Sequence, residues 1–283
     1  MKKSLASLLA LAFFAVSCSD SDDPMPNPEP NKDIYALLGW DAKFSNGGDT
    51  TYYRVSYNAD STVKETKEWD KGGNDTSFTY ATYLDGKLVK IETRNNAEPK
   101  EVETTYFYKD GKLAKISHYS TQSGTTSIDY YDTLYYNAAG KVVEMHGIYS
   151  VQPEYNNKKR ILSWNGNNVS KVEMLRNNNG IFKLSETEVY TVDNTKPNLF
   201  SKILKDDYLW KTDAVSLDYL CENSVTKVEM TEDGSTFRKV RTGTYTYNDR
   251  GQLSGMSHNN EAFEGTMLKS SYMVNIVFKY IKQ

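Results

Sequence analysis

The stretch FYKDGKLAKISHYS, residues 107–120, contains the folding pattern that the rest of the chain repeats. Aromatic side chains alternate before Asp110-Gly111, and apolar-x-Lys-apolar follows the dipeptide. Asp-Gly tolerates the positive φ of a tight turn between antiparallel strands, and alternation with a period of two is typical of a strand. The stretch therefore predicts a β-hairpin.

Similar stretches recur along the chain. They cover residues 55–65, 82–91, 107–116, 135–145, 162–172, 192–203, 219–228 and 246–256. Their turns are 25 to 29 residues apart. Eight units at so steady a period indicate a repeat architecture.

A second series of turn sequences lies half a period away, and Ser271 to Ile281 supplies a last alternating strand. After each turn of the first series, one face is apolar, as at Val89 and Ile91, and the other carries residues such as Lys90. The fold class predicted is all-β, an antiparallel meander of about eight repeated hairpins and about 16 strands.

The shape of this sheet follows from its apolar face. A hollow ring of sixteen strands leaves an aqueous lumen, so we expect a barrel-like, water-soluble sheet, curled or flattened until the apolar face packs on itself. The segment Ile34 to Phe44 is a candidate plug. The aliphatic stripe is then core and not a ligand cavity. A transmembrane barrel is disfavoured, because the opposite face is dense with Lys and Glu.

The first residues resemble a lipoprotein leader. Lys2 and Lys3 precede an apolar run that is too short to span a bilayer, and the run ends at a lipobox-like sequence before Cys18. The Cys18 thiol would receive the diacylglyceride, and its new amine a fatty acyl group such as palmitate. Residues 1–17 are then the signal peptide. An ordinary leader with an incidental cysteine is the alternative.

Residues 18–33 form an acidic, Pro-rich tether, and 34–283 a single β-hairpin-repeat domain. The acidic stretch Ser19 to Pro24 resembles the export signal of Bacteroidetes surface lipoproteins. That resemblance implies the outer membrane, facing the cell exterior. The periplasmic face is the alternative.

Two family resemblances rest on these features. The unit at 245–253 is similar to the tyrosine–aspartate repeats of rearrangement-hotspot shell proteins. The leader, the tether and the hairpins together resemble a Bacteroidetes lipoprotein family of unknown function with a porin-like fold. The resemblance implies no catalytic residues.

Composition restricts the partners. The formal net charge is −3 and becomes −5 when the leader takes Lys2 and Lys3 with it. An acidic surface argues against nucleic acid as the main partner. Cys221 would be the only thiol left, and it is interpreted as a small buried side chain on a strand.

Few residues suggest chemistry, and we predict no metal and no cofactor. His118 and His258 fall on one face and His146 on the other, as packed or solvated strand residues. The acidic pairs Asp206-Asp207 and Asp129/Asp132 are interpreted as loop and surface charges, since sequence proximity does not place two carboxylates across a cleft.

Trp69, Trp164 and Trp210 lie near turns and are the candidate ligand-binding residues, because exposed aromatic rings stack on sugars and peptides. Packing at the sheet ends is the alternative. The function predicted is a non-catalytic surface module that binds a glycan, a peptide or a partner protein. The alternatives are a scaffold whose outer strands pair with another envelope component and, third, an enzyme.

Overall fold

The computed structural model describes residues 35–45, 50–73, 75–122, 124–198 and 217–282. Sixteen antiparallel strands form a closed barrel in which each strand pairs with its sequence neighbours and β1 pairs with β16. The predicted all-β meander is confirmed, and it closes into a barrel.

The strands fall into two sets of eight. The first set is β1 (Tyr35–Phe44), β2 (Thr50–Tyr57), β3 (Val63–Asp70), β4 (Thr76–Leu84), β5 (Lys87–Asn95), β6 (Glu101–Lys109), β7 (Lys112–Gln122) and β8 (Thr125–Tyr136). The second set is β9 (Val142–Tyr149), β10 (Lys158–Asn165), β11 (Asn168–Asn178), β12 (Ile181–Pro197), β13 (Asn223–Glu232), β14 (Phe237–Tyr247), β15 (Leu253–Glu264) and β16 (Met267–Lys282). Helix α1 (Pro153–Asn156) joins β9 to β10, and a 3-10 helix (Leu217–Leu220) precedes β13. Among the described residues no helix is long and apolar enough to cross a membrane.

A β-bulge follows each connection from an even-numbered strand to the next strand. In β6–β7, Phe107 pairs with Lys115 and Tyr108 with Leu113, so Ala114 is the extra residue. The same shift recurs in β2–β3, β4–β5, β8–β9, β10–β11, β12–β13 and β14–β15. Since a bulge adds one residue to one strand, the repeat carries a fixed kink at the same place in each hairpin.

The bulge also corrects the predicted inner face. Leu88 and Ile91, three positions apart, are both fully buried, because the extra residue between them shifts the alternation by one. The prediction that Val89 shares the apolar face with Ile91 is wrong, since Val89 is the bulged residue. Lys90 lies on the outer face, as predicted.

The eighth strand pair of this series is formed by the first and the last strand of the chain, β1 and β16. Leu37 pairs with Tyr280 and Gly39 with Lys279, so β16 and β1 reproduce the same bulge without a connecting turn. The segment expected to be a plug is therefore β1, a strand of the wall. With β16 it forms the eighth bulged strand pair, in addition to the seven pairs that are joined by a turn or a longer connection.

One predicted turn is replaced by a strand. The stretch 192–203 was expected to turn near residue 195, but β12 continues through that position to Pro197, and the next described strand is β13. Asn-Thr-Lys-Pro resembles a turn in composition. Asp193 and Pro197 both pair with β13, so residues 194–196 form a bulge there and the chain does not reverse direction.

The inner face is apolar at the end of the barrel where the bulges lie, which we call the core end. Its largest fully buried side chains include Leu37, Leu88, Ile91, Ile116, Val169 and Leu253. Aromatic residues near the ends of even-numbered strands close this core by donating to backbone carbonyls. These bonds are Tyr57 to Leu37, Tyr136 to Leu113, Trp164 to Val142, Tyr245 to Val225 and Tyr280 to Leu253.

On several odd-numbered strands the residue directly after the bulge is a lysine on the outer face. Lysine and glutamate two residues apart form ion pairs, with Nζ–Oε distances of 3.1, 3.0 and 2.6 Å. The pairs are Lys90–Glu92, Lys171–Glu173 and Lys227–Glu229. Each adds little to stability at such exposure, but together they give the outer face a belt of paired charges.

Candidate functional site

A cavity of about 640 Å³ occupies the lumen beyond the core, towards the other end of the barrel, which we call the cavity end. Its apolar floor consists of Ile116, Met145, Val172, Leu217, Tyr219 and Val228. The expectation that the apolar face is entirely core is thus correct at one end only. A ring of sixteen strands is too wide for its side chains to fill throughout, and here the filling ends at this floor.

Charged residues line the wall of the cavity in a regular order. Every second strand carries charge of alternating sign: Asp132 on β8, Arg160 on β10, Glu186 and Glu188 on β12, and Lys239 and Arg241 on β14. The strands between them contribute apolar side chains, such as Met174 on β11 and Met230 on β13. The cavity therefore offers both charges around an apolar floor.

Asp132 is the most buried of these charged groups, with 3% of its surface exposed. Its Oδ2 lies 3.1 Å from Nε2 of His118 on the neighbouring strand, and its Oδ1 has no hydrogen-bond partner among the described residues. The prediction that Asp132 is a surface charge is wrong. The alternation of β8 turns the side chain into the lumen, and the barrel closes around it. A buried carboxylate oxygen without a donor is costly, so a ligand donor group at this point would be stabilised.

Three aromatic rings form a row across the strands, next to Asp132 on its cavity-end side. His118 stacks on Tyr130 with centroids 4.2 Å apart, and Tyr130 stacks on Tyr149 at 4.7 Å. The ammonium of Lys158 lies 5.5 and 5.3 Å from the centres of the two tyrosine rings. The stack crosses β7, β8 and β9, and Lys158 on β10 extends it to a fourth strand.

Gly147 makes room for this arrangement. A Cβ at this position would lie 3.0 Å from Cγ of Lys158 and 3.2 Å from Oδ1 of Asp132. The absence of a side chain lets both charged groups approach the same point on β9. Glycine here serves packing and not backbone conformation.

The site changes the acid–base properties of its members. Burial lowers the pKa of Lys158 to about 8, and repulsion from Arg160 acts in the same direction, while Asp132 opposes it. Burial also raises the pKa of Tyr149. A lysine in this state loses part of its charge just above neutral pH, so the charge of the lumen changes between neutral and mildly alkaline solution.

The two described tryptophans among the candidates lie away from this cavity. Trp69 lies on the outer face of β3, stacked on Tyr52 with centroids 5.5 Å apart. Trp164 faces inward at the core end, where its indole nitrogen donates to Val142. The structure therefore places these two on opposite faces of the wall and on strands that are not neighbours. Trp210 lies outside the described residues, as does Cys18.

The remaining sequence candidates are also placed. His118 and His258 face inward and His146 outward against Tyr135, as predicted. Cys221 is buried, with 1% exposed, but it precedes β13 and is not part of a strand. Its segment enters the core because Leu217 and Tyr219 are apolar and pack there. Asp206-Asp207 lies outside the described residues.

Sequence reasoning missed the charged wall, although a signal exists. Even-numbered strands end near an inward aromatic or aliphatic residue, such as Tyr83 in β4 and Tyr108 in β6. The residue four positions earlier is Thr79 in β4 and Thr104 in β6. The next three even-numbered strands have Asp132, Arg160 and Glu188 at this position. Three consecutive charges at an inward position of a repeat indicate a polar lumen on that side of the barrel.

Comparison with known proteins supports the fold. A porin-like protein from Bacteroides uniformis has a similar structure, with a TM-score of 0.53 and 13% sequence identity over 87% of this chain and 98% of that one. A second porin-like protein, from Bacteroides vulgatus, gives 0.41 and 10% over 88% and 99%. No family model matches the sequence, and no curated protein is similar to it at a significant level. The chain is thus similar in fold to a porin-like protein of Bacteroides.

Proposed function

We propose that the protein is a non-catalytic binding module of the cell envelope that takes a small ligand carrying both charges into the lumen cavity. A short zwitterionic peptide has this chemistry. The alternating charges of β8, β10, β12 and β14 above an apolar floor are the observation that carries the proposal. Pockets that bind small molecules combine such apolar walls with a few placed polar groups.

The positions of the charged side chains indicate which group of the ligand each of them would contact. Its ammonium group would contact Asp132, whose Oδ1 has no donor within the described chain, and its carboxylate would contact Arg160 or Arg241. An apolar side chain would rest on Met145 and Val172. Arginine favours carboxylates because its fork donates two parallel hydrogen bonds.

Calorimetry with the dipeptide leucyl-leucine tests this assignment. The zwitterion should bind, and acetylation of its amine or amidation of its carboxylate should weaken binding by about tenfold or more. Asp132→Asn and Arg160→Gln should each do the same. Glu173→Gln, on the outer belt, is the matched control and should leave binding unchanged. Equal binding of the doubly capped peptide, or of a neutral disaccharide of similar size, contradicts the assignment.

The absence of catalysis is tested in the same experiment. The peptide should be recovered intact by mass spectrometry after long incubation with the protein. Hydrolysis that Asp132→Asn abolishes would instead make the lumen an active site.

The envelope location rests on the leader and on the fold shared with a porin-like protein of Bacteroides. Cys18 is the lipidated residue in this proposal, and the barrel faces the cell exterior. Labelling with palmitate should be lost in Cys18→Ala, and protease added to intact cells should remove the protein. Protection from protease would place it on the periplasmic face.

The scaffold alternative loses its physical basis. It required outer strands with free edges, but β1 and β16 pair along nine positions. Closure satisfies the backbone groups through which another chain would add a strand. A protein partner of the described strands would then contact side chains or turns and not an open strand edge.

A further inference from the structure

The outer face of β2 to β5 carries a row of cations that the lumen does not use. Arg54 pairs across the strands with Lys67, Lys67 with Phe78, and Phe78 with Arg94. Neighbouring strands lie about 4.8 Å apart, so the row is about 14 Å long. It runs straight across the strands, at right angles to the chain.

Like charges directly opposite each other destabilise a sheet. Arg54 and Lys67 occupy such a pair, and the ion pair of Arg54 with Asp41, at 3.1 Å, compensates only one of them. Among the described ion pairs neither Lys67 nor Arg94 has a carboxylate partner. The belt lysines of the same wall are paired, as at Lys90–Glu92. This row therefore differs from the ion-paired belt positions of the outer face.

Aromatic rings hold these cations flat against the wall. Arg54 and Lys67 lie 5.3 and 4.9 Å from the ring centre of Trp69, and Arg94 lies 4.4 Å from that of Phe78. Lys100, beyond the turn, lies 3.4 Å from the centre of Tyr80. Such contacts fix long side chains and reduce the entropy lost when they bind an anion.

We propose that this strip, Arg54, Lys67, Phe78, Arg94 and the flanking Trp69, Tyr80 and Lys100, binds a linear acidic polysaccharide. Carboxylates along the polymer contact the cations, and the sugar rings cover the aromatic edges between them. Cations separated by one or two strand spacings match widely spaced charges. Duplex DNA has one charge per ~1.7 Å and needs a broader basic surface.

The neighbouring acids limit the strip on one side. Glu65 and Glu92 flank Tyr80 in the next row towards the core end. A polyanion is thus repelled on the core-end side of the row. This inference is independent of the ligand proposed for the lumen.

Binding of the purified full chain to immobilised polygalacturonate tests the strip. The wild-type protein should bind and should weaken as salt is raised from about 50 to about 300 mM, while neutral dextran should not bind. The double variant Lys67→Gln, Arg94→Gln should lose about tenfold or more in affinity. Its melting temperature should change little, because relief of the like-charge contact offsets loss of the cation–π contacts.

The matched control is Lys171→Gln with Lys227→Gln, which removes the same charge from the ion-paired belt. It should change the affinity for polygalacturonate less than about twofold. Equal losses in the two double variants would show general charge attraction and overturn the strip. So would dextran binding, absence of polygalacturonate binding, or tighter binding of DNA with the same number of charges.

Discussion

The two ends of the barrel are made from one repeat, yet they differ in what fills the lumen. At the core end, Leu88 and Ile91 are fully buried, and tyrosine hydroxyl groups close the layer. At the cavity end, β8, β10 and β12 place Asp132, Arg160 and Glu188 around open space. The difference shows that a repeat can specify the wall while individual inward positions decide between stability and binding.

Removal of apolar volume should separate the two ends most clearly. Leu88→Ala leaves a cavity in close-packed surroundings and should lower the free energy of unfolding by about 2–5 kcal/mol. Met230→Ala, at the cavity wall, should cost less than about 1 kcal/mol, since its side chain already borders open space. Urea unfolding measures both. Similar losses would mean that the cavity end is as tightly packed as the core end.

The turns give a second comparison. Gly111 at the core end and Gly180 at the cavity end have φ of +80° and +85°, where a β-branched residue is strained by about 1–2 kcal/mol. Gly111→Val should show the full cost because Leu113 holds the hairpin in the core. Gly180→Val should show less, since its hairpin tip can relax. Thermal unfolding of both variants checks this order, and a larger effect at Gly180 would reverse it.

The tyrosine layer sharpens the description of the core end. Tyr136→Phe removes the hydroxyl that donates to the carbonyl of Leu113 at 2.7 Å and should cost about 1 kcal/mol. Tyr135→Phe, on the outer face, is the control and should be neutral. Equal effects in denaturant unfolding would mean that the layer adds nothing beyond ring packing.

The smallest effect concerns Lys158 at the cavity end. Its pKa is about 8 in the folded chain, against an ordinary value of 10.5 for a solvated lysine, so the unfolded chain binds more protons between these values. Stability should therefore rise with pH through this window. The gain is on the order of 1 kcal/mol after allowance for solvent screening. Lys158→Met should lose this rise between about pH 8 and about pH 10.5, and Lys159→Met on the outer face should retain it. A rise that persists in Lys158→Met would assign it to another group.

The wall was more predictable than its contents. Asp110-Gly111 and its equivalents locate the turns because few dipeptides accept their backbone angles, and regular spacing gives the strand count. The bulge was not predictable, because one extra residue such as Val89 is not visible where apolar and polar residues alternate only irregularly. The lumen site was missed for a different reason. Asp132 and Lys158 look like surface charges in the sequence. They pair with Gly147 from the strands on either side of it, and closure of the barrel encloses the face that they share.

The false unit at 192–203 illustrates the limit of composition. Its Asn, Lys and Pro resemble a turn, yet Asp193 and Pro197 both pair with β13, so residues 194–196 form a bulge and the chain does not reverse. Tertiary pairing decided the local conformation there. The eighth connection was instead supplied by the pairing of β16 with β1, which a count of turns along the chain could not show.

The divided repeat has a consequence for the order of folding. Lys279 and Asp41, ion-paired across the seam, are 238 positions apart in the chain, whereas the other strand pairs join near neighbours. A contact of such sequence separation carries the largest loop-closure entropy in the barrel, and high contact order slows the step that forms it. The wall can grow hairpin by hairpin as the chain emerges, but both edges of the growing sheet stay open until β16 is complete. Loss of the last strand would expose two unpaired edges at once, and such edges recruit other chains. Pairing of β16 with β1 is therefore the folding step that removes the last open strand edges through which the chain could aggregate.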